Sequence, residues 1–236
     1  RVISNGDTDT DFGRWCLMLL SHKASHQKFE GHWSGGIVDG VRHYHHRPTV
    51  GTVELMWDWW HYPDIYSPDE IKNINNVLQR NLLDGEDNLA KGIVKTSAVR
   101  FVQWGAVNDI LANAADCIYH ANRVNFSYDI HPLDRRQVLN FNCYRKGQEY
   151  AWHQDKIVDP NRIIDIKLTF IINLSEVPYT GGDFHIAHKP DGDNGKIEFN
   201  PGTVVVFSGG LFHKVSPVIE GTRLSLTTWI EGPRWR

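Results

Sequence analysis

Two side chains of the metal-ligand type stand two positions apart in the segment YAWHQDK, residues 150–156. In an extended segment, positions i and i+2 lie on one face, so His153 and Asp155 would direct an imidazole and a carboxylate to one point. His213 follows the apolar run 203–207 and is the best candidate for a third ligand. Two histidines and one carboxylate on one face of an octahedral ion form the ligand triad of non-haem Fe(II) oxygenases, which leaves three coordination positions open.

A cation suited to a carboxylate follows the second histidine by ten residues. Arg223 lies beyond the turn signal PVIEG, and a hairpin at that turn would return its guanidinium to the neighbourhood of the metal. The planar guanidinium can hold a carboxylate through two parallel hydrogen bonds. A dicarboxylate such as 2-oxoglutarate fits this arrangement, with its keto-acid end on the iron and its far carboxylate on the arginine.

The segments that must position these residues alternate between polar and apolar side chains. In DIKLTFIINL one face is apolar and the other carries Lys167 and Thr169, and in TRLSLTTW the residue Trp229 shares a face with Arg223. Turn signals rich in glycine and proline, such as PYTGGD and NPGT, separate these runs. Many short strands at this spacing predict an antiparallel sandwich or barrel rather than alternating strands and helices.

The N-terminal part carries helix signals and an aromatic-rich segment. In SPDEIKNINNVLQ, Ser67 and Glu70 form a capping box with Pro68 at the first helical position. A second apolar stripe at helical spacing predicts a helix over about 107–122, and both helices should pack against a sheet. The segment MWDWWHYPDIY, residues 56–66, is interpreted either as a lid over a substrate or as packing between helix and sheet.

Composition excludes several classes of protein. A net charge of −3 does not indicate a nucleic-acid partner, and no run approaches the roughly 18 apolar residues of a membrane-spanning helix. The three cysteines lack metal-site spacing and cannot all pair. The start, RVISNGDTDT, lacks the basic-then-apolar order of a signal peptide, so we expect a soluble cytoplasmic protein without membrane contacts.

Three segments together carry a resemblance to a known family: NCYRKGQEYAWHQD, LTFIINLSEVPYTGGDF and FNPGTVVVFSGGLFHKVSPVIEGTRLSLTTWI. They resemble the Fe(II)- and 2-oxoglutarate-dependent dioxygenases of the prolyl 4-hydroxylase type and, chiefly through HKVSPVIEGTR, the bacterial PKHD-type hydroxylases. The detailed likeness covers about 138–231. It implies a mainly β fold with flanking helices, the double-stranded β-helix, which is a jelly-roll or cupin-like barrel. We therefore expect one dioxygenase domain over 1–236, with an N-terminal helical and aromatic-rich buttress (1–135) and a catalytic jelly-roll core (136–236).

The resemblance implies a role for each matching residue. His153, Asp155 and His213 match the iron ligands, and Arg223 matches the residue that binds the distal carboxylate of 2-oxoglutarate. Prolyl 4-hydroxylases commonly carry lysine at that last position. Related halogenases replace the carboxylate ligand with a small residue, so the presence of Asp155 favours hydroxylation.

Further residues are expected around the co-substrate and the substrate. Tyr144 occupies the place of a tyrosine that helps to hold the distal carboxylate, and Thr169 is a candidate for an additional hydroxyl donor. Trp152 would point away from His153 unless the strand is bulged. The candidates for substrate contacts or for the cavity entrance are Trp229, Trp152, Glu149 and Arg145.

The implied reaction couples decarboxylation of 2-oxoglutarate to succinate with hydroxylation of a C–H bond by O₂, and ascorbate is an optional accessory reductant. The leading substrate is a prolyl or other residue of a peptide or protein. Two alternatives stay open: the same chemistry on a small molecule such as a free amino acid, and a non-catalytic jelly-roll module that binds a metal or ligand. A narrow entrance would favour the small molecule, and an open aromatic groove would favour the peptide.

Overall fold

The computed structural model describes residues 57–83, 95–156, 161, 163–190 and 195–235, and the backbone of 36–38 and 41–43. The chain divides into two compact units, Arg1–Leu55 and Met56–Arg236. In the first unit the described part is an antiparallel pair of strands, β1 (Gly36–Val38) and β2 (Val41–His43). No helix in the described part of the chain is both long and apolar enough to span a membrane.

The second unit consists mainly of antiparallel strands. These are β3 (Trp59–Tyr62), β4 (Ala98–Gln103), β5 (Val138–Tyr144), β6 (Tyr150–His153), β7 (Ile164–Asn173), β8 (Thr180–Gly181), β9 (Phe184–Ala187), β10 (Gly195–Ile197), β11 (Val204–Ser208), β12 (Phe212–Val215), β13 (Val218–Glu220) and β14 (Arg223–Pro233). One sheet has six strands in the order β3-β11-β7-β14-β5-β4, and a second has four in the order β10-β9-β12-β6.

The two sheets pack face to face, which confirms the antiparallel sandwich that the alternating pattern predicts. Apolar residues from both sheets form one buried cluster, among them Ile171 and Phe207 of the six-stranded sheet and Phe184 and Val215 of the four-stranded sheet. In β9 and β12 every second residue is buried, as expected for strands with one face on the core. The central strand β7 is buried along most of its length because both of its faces are covered.

Helix α1 (Pro68–Arg80) begins as the capping box predicts. The Ser67 hydroxyl accepts from the Glu70 N–H, and the Glu70 carboxylate accepts from the Ser67 N–H at 2.7 Å. The helix buries an apolar stripe, and Asn75 within it donates to the Leu174 carbonyl at 2.9 Å. These contacts fix α1 against the end of β7.

Helix α2 (Ala112–Ala121) is shorter than the predicted span of 107–122. A 3₁₀ turn (Trp104–Ala106) precedes it and a π turn (Asn122–Phe126) follows it. Residues 107–111 form turns, and Asn108 donates from its side chain to Asp109 there. Such side chains compete with the helical backbone for hydrogen bonds, which is the physical reason for the late start.

The Trp-rich segment packs between a strand and a helix over the part that the structure describes. Trp60 and Tyr62 of β3 are buried, and both rings make edge contacts with His120 of α2. Because β3 pairs with β11, and β4 pairs with β5, residues before 136 contribute both edges of the larger sheet. The boundary between buttress and core at 135/136 stays a prediction.

The connection from His213 to Arg223 differs from the predicted hairpin. Strand β12 lies in the four-stranded sheet and β14 in the six-stranded sheet, while β13 between them pairs with β8. The chain therefore crosses from one sheet to the other. His213 and Arg223 both reach the same interior because the inner faces of the two sheets face each other.

Candidate active site

His153, Asp155 and His213 converge on one point between the sheets. The two histidines are directly opposite in the pairing of β6 with β12. Asp155 lies 3.8 Å from Nε2 of His153 through Oδ1 and 3.3 Å from Nε2 of His213 through Oδ2. The candidate ligand atoms of the three residues lie within 4.8 Å of one another. Neighbouring donors of an octahedral ion at about 2.1 Å are about 3 Å apart, so the cluster has the size of a metal site.

Hydrogen bonds fix the orientation of both imidazoles. Nδ1 of His153 is 2.8 Å from the Ala151 carbonyl, and Nδ1 of His213 is 3.1 Å from the Leu211 carbonyl. A carbonyl only accepts, so each Nδ1 carries a proton and donates it. The unprotonated Nε2 of each ring is therefore the atom that remains to bind a metal, and in both rings it faces Asp155. This is the arrangement expected of metal-binding histidines.

Asp155 is held by contacts that the i, i+2 rule does not include. Strand β6 ends at His153, and the N–H of Asp155 donates to the Gly209 carbonyl at 3.1 Å. The Thr169 hydroxyl donates to Oδ2 of Asp155 at 2.6 Å. A Cβ on Gly209 would lie 2.7 Å from a methyl of Ile166, so glycine lets this turn lie close against Ile166 of β7. The carboxylate thus has one orientation.

Burial and neighbouring charges set the protonation that a metal ligand needs. Burial, with a further contribution from His213, lowers the pKa of His153 to about 4. Burial alone would raise the pKa of Asp155, but the neighbouring His213 and His153 and the hydrogen bond from Thr169 outweigh it and lower the pKa to about 2. A neutral imidazole and an ionised carboxylate are the states that bind a metal ion.

Arg223 presents a buried cation with unused donors. Its side chain is 0% exposed, and Nη1 donates to the Ser225 hydroxyl at 3.1 Å. Nε and Nη2 have no hydrogen-bond partner among the residues that the structure describes. A buried, unpaired cation is costly, and two free N–H groups on one planar guanidinium match a carboxylate. The residue therefore fits the distal carboxylate of 2-oxoglutarate.

Packing holds the guanidinium in place. Its carbon lies 5.1 Å from the Tyr144 ring centroid and 5.3 Å from that of Phe199. Burial raises the pKa of the Tyr144 phenol although Arg223 acts in the opposite direction. On the remaining side, Gly182 has a φ of +61°, and a Cβ there would lie 3.0 Å from Cδ of Arg223. Gly182 of the PYTGGD turn therefore leaves room for the arginine.

A cavity of about 200 Å³ opens next to the three ligands. The described part of its wall includes two charged residues, Lys95 and Asp155. The residues from the inner faces of the sheets that line it include Tyr144, Thr169, Ser225, Thr227 and Trp229. Arg223 lies behind this wall, where it contacts Tyr144 and Ser225.

The expected co-substrate and substrate residues fall into two groups. Tyr144, Thr169 and Trp229 line the cavity, although the Thr169 hydroxyl is already used by Asp155. The described cavity wall does not include Trp152, Glu149 or Arg145. Arg145 is exposed, and the half-buried Glu149 pairs through its backbone with Thr96. These two therefore lie beside the barrel, in a turn and at the start of β6.

Trp152 lies on the outer face of the four-stranded sheet. Its ring centroid is 6.4 Å from that of His185 and 4.9 Å from Nζ of Lys214. The pairing of β6 with β12 shifts register between His153 and Tyr150, which is the bulge that the sequence left open. The bulge turns Tyr150 inward and leaves Trp152 outside. Trp152 is therefore not a wall residue of the described cavity.

Tyr150 and Lys95 are among the cavity residues that the sequence-based expectations did not include. The Tyr150 ring stacks on His153 with centroids 3.5 Å apart. Nζ of Lys95 lies 4.8 Å from the Tyr150 centroid and donates to Oδ1 of Asn142 at 2.7 Å. Burial lowers the pKa of Lys95 to about 8. Neither residue has a spacing that marks it, since the bulge and the pairing of Lys95 with Tyr150 are tertiary features.

Comparisons of sequence agree with this geometry. Residues 139–231 match the model of the 2OG-Fe(II) oxygenase superfamily. A PKHD-type hydroxylase of Crocosphaera subtropica is 25% identical over 71% of this chain and 75% of its own length. A PKHD-type hydroxylase of Maricaulis maris is 29% identical over 72% of this chain and 76% of its own length.

Solved structures of low identity share the fold. A prolyl-4-hydroxylase of Pseudomonas putida is 22% identical, with a TM-score of 0.57 over 75% of this chain and 94% of its own. A prolyl hydroxylase of Trichoplax adhaerens in complex with a peptide fragment has a TM-score of 0.53 at 16% identity, over 73% of this chain and 83% of its own. HygX of Streptomyces hygroscopicus, with nickel, 2-oxoglutarate and hygromycin B bound, has a TM-score of 0.50 at 15% identity, over 76% and 86%.

These findings confirm the double-stranded β-helix and the family resemblance together. The ligand triad, the two facing sheets and the matched segment 139–231 all concern the same part of the chain. Residues 139–231 carry the match to the 2OG-Fe(II) oxygenase superfamily, and the findings together support a PKHD-like, Fe(II)- and 2-oxoglutarate-dependent dioxygenase.

Proposed function

We propose that the chain hydroxylates a prolyl residue of a peptide or protein. When bound, Fe(II) with 2-oxoglutarate supplies the oxidising chemistry: one atom of O₂ enters succinate and the other enters the substrate C–H bond, with release of CO₂. The observation that carries the proposal is the cluster of His153, Asp155 and His213 in front of a buried arginine with two unused donors. A peptide ligand in the related fold from Trichoplax adhaerens supports the substrate class.

The side chains of this cavity position the reactants and limit the access of water. His153, Asp155 and His213 would hold the iron, and Arg223 would hold the far carboxylate of 2-oxoglutarate. Apolar and aromatic side chains of both sheets surround the site and exclude water from it. Trp229 lines the cavity with a buried Nε1 that has no partner among the described residues, so it is available to a substrate carbonyl.

The first test separates binding of the co-substrate from turnover. The purified chain is titrated anaerobically with Fe(II) and then 2-oxoglutarate, and the visible charge-transfer band of a chelated keto acid is followed. We expect the band in the wild type and its loss in His153→Ala. His185→Ala, which removes an outer-face histidine of β9 in the same sheet, should retain it. A folded wild type without the band would contradict the assignment of the site.

The second test concerns the substrate. Proline-containing peptides are incubated with Fe(II), 2-oxoglutarate and air, and mass spectrometry measures the gain of one oxygen atom against the succinate formed. We expect equal amounts of the two products for a true substrate. Succinate formation with none of the peptides hydroxylated would reject the prolyl substrate.

A small-molecule substrate is the second candidate because the cavity is narrow. Its volume of about 200 Å³ is below the roughly 300–1,000 Å³ of typical small-molecule pockets, even before 2-oxoglutarate enters. Either one residue of a peptide or a single free amino acid would fill the remaining space. Free L-proline and other amino acids therefore belong in the same assay, and hydroxylation of them alone would favour this candidate. The cytoplasmic location stays a prediction.

A further inference from the structure

Lys95 is a cavity cation that neither the metal nor the co-substrate requires. Its Nζ makes one hydrogen bond, to Oδ1 of Asn142, and lies over the Tyr150 ring. Among the described residues no carboxylate lies within ion-pair distance of it. A half-buried ammonium of this kind costs free energy unless an anion joins it.

The surrounding structure holds this ammonium in the cavity. Lys95 pairs with Tyr150 in an antiparallel bridge, and the N–H of Thr96 donates to the Glu149 carbonyl at 3.0 Å. Asn142 donates from Nδ2 to the Asn140 carbonyl at 3.0 Å, which leaves its Oδ1 facing Lys95. The segment before β4 is thus fixed to the strand that carries His153, and the cation has a defined place beside the reaction site.

The formal charges indicate what this cation binds. Asp155 with Fe(II) leaves one positive charge, and Arg223 and Lys95 add one each, while 2-oxoglutarate brings two negative charges. One positive charge is therefore unmatched in the loaded cavity. Without Lys95 the formal charges of the same groups would sum to zero. Lys95 is therefore the residue whose charge requires another anion. A low-dielectric site strengthens both the cost of the unmatched charge and the gain from an anion.

We propose that Lys95 is a substrate-binding residue that pairs with a carboxylate on, or next to, the residue that is oxidised. This inference rests on the proposed function and narrows its substrate class to substrates that carry a carboxylate near the oxidised residue: a C-terminal prolyl residue, a prolyl residue beside an acidic side chain, or a free amino acid. Asn142 is a positioning residue that orients the ammonium. In the loaded site Arg223 and the iron would hold the two ends of 2-oxoglutarate, so the anion for Lys95 would come from the substrate.

The test measures binding rather than turnover. Matched acid and amide probes are titrated calorimetrically into the anaerobic complex with Fe(II) and 2-oxoglutarate: Ac-Ala-Ala-Pro-OH against its amide, Ac-Ala-Pro-Glu-Ala-NH₂ against its Gln form, and L-proline against L-prolinamide. We expect the acid of at least one pair to bind on the order of ten- to a hundredfold more tightly than its amide, the range of a charge-assisted hydrogen bond. Lys95→Met should remove that preference and Lys95→Arg should retain it.

Lys214→Met is the matched control because Lys214 also lies over an aromatic ring, that of Trp152, but on the outer face. It should retain the preference of the wild type. The absence of preference in all three pairs would overturn the proposal, as would a preference that survives Lys95→Met. A weaker affinity for 2-oxoglutarate in Lys95→Met, seen in the charge-transfer titration, would instead assign Lys95 to the co-substrate and overturn it too. Preferential binding of an acid that is never hydroxylated would support the inference while rejecting the prolyl hydroxylase.

Discussion

The four-stranded sheet carries similar side chains on its two faces, but only one face forms a reaction site. On the inner face, Lys95 lies 4.8 Å from the Tyr150 ring, which stacks on His153. On the outer face, Lys214 lies 4.9 Å from the Trp152 ring, which contacts a histidine edge-on. The residue types are similar on both faces and the two lysine–ring distances are nearly equal, whereas the ring and histidine are stacked at 3.5 Å inside and edge-on at 6.4 Å outside.

Enclosure by the second sheet makes the difference. The inner face looks at the six-stranded sheet, from which Thr169 reaches the carboxylate ligand and Arg223 supplies a buried cation. Burial there lowers the pKa values of His153 and Lys95, so a charged form in the cavity is stable only beside a group of opposite charge. The outer face has no such opposing layer among the described strands. A histidine or lysine therefore acquires a chemical role from what surrounds it.

Removal of the carboxylate ligand should have the largest effect, because it abolishes the activity that distinguishes the inner face. Asp155→Ala takes one of three ligands from the iron, and we expect succinate formation to fall to background with cooperative thermal unfolding retained. Asp58→Ala removes a partly exposed carboxylate that pairs with His188 at 3.0 Å and should leave activity unchanged. Succinate formation at the wild-type rate in Asp155→Ala would remove Asp155 from the metal site.

Loss of the buried cation should have the next largest effect. Arg223→Ala deletes two charge-assisted hydrogen bonds to 2-oxoglutarate, each worth about 1.5–3 kcal/mol, so its Kd should rise at least about a hundredfold. Arg223→Lys keeps the charge and places lysine where prolyl 4-hydroxylases commonly carry it. Its Kd for 2-oxoglutarate should lie between those of the wild type and Arg223→Ala. Titration of the charge-transfer band gives both values. An unaltered Kd in Arg223→Ala would mean that another group holds the distal carboxylate.

A smaller effect is expected when the support of the carboxylate is removed. Thr169→Val keeps the shape of the side chain but loses the hydrogen bond to Asp155, and second-sphere changes of this kind lower metal affinity about 10–100-fold. Anaerobic Fe(II) titration measures this affinity. Thr228→Val is the control, since its hydroxyl donates to the Val138 carbonyl away from the metal. Equal Fe(II) affinity in the two variants would show that Thr169 does not orient the ligand.

The smallest effects are expected from two tryptophans, one in the cavity wall and one on the outer face. Trp229→Ala removes an aromatic wall of the cavity, and we expect KM for the best peptide of the screen to rise about two- to tenfold, the value of one aromatic contact. Trp152→Ala changes the outer face and should leave KM as it is. A larger effect from Trp152→Ala would mean that the substrate also covers the outer face.

Local patterns predicted the strands and the first helix well. Alternation in β7 and β14 and the capping box at Ser67 depend on neighbouring residues only, so they can be recognised in one sequence. The late start of α2 was missed because the apolar stripe continues through turn-forming Asn108 and Asp109. The crossing from β12 to β14 was misjudged as a hairpin because a short turn signal does not state which sheet the next strand joins.

The site residues were predictable where their type and spacing along the chain match the chemistry of metal and carboxylate binding. His153, Asp155, His213 and Arg223 were found from residue type and spacing, and the structure brings the first three together. Trp152 was a candidate for the cavity if the strand were bulged, but the register shift in β6 turns Tyr150 inward and leaves Trp152 on the face opposite His153, as simple alternation predicts. Lys95 has no spacing signal, since a bridge to Tyr150 brings it to the cavity from a distant part of the chain.

By itself the sequence determined the ligand types, their order and the alternation that builds two sheets, because these depend on side-chain chemistry and on neighbours along the chain. Only the tertiary structure decided that Asp155 bonds to Thr169, that two donors of Arg223 are unused and that Lys95 enters the cavity. Each of these depends on strands far apart in sequence that meet across the barrel interior. The register and the bulge that set such contacts result from packing of the whole domain.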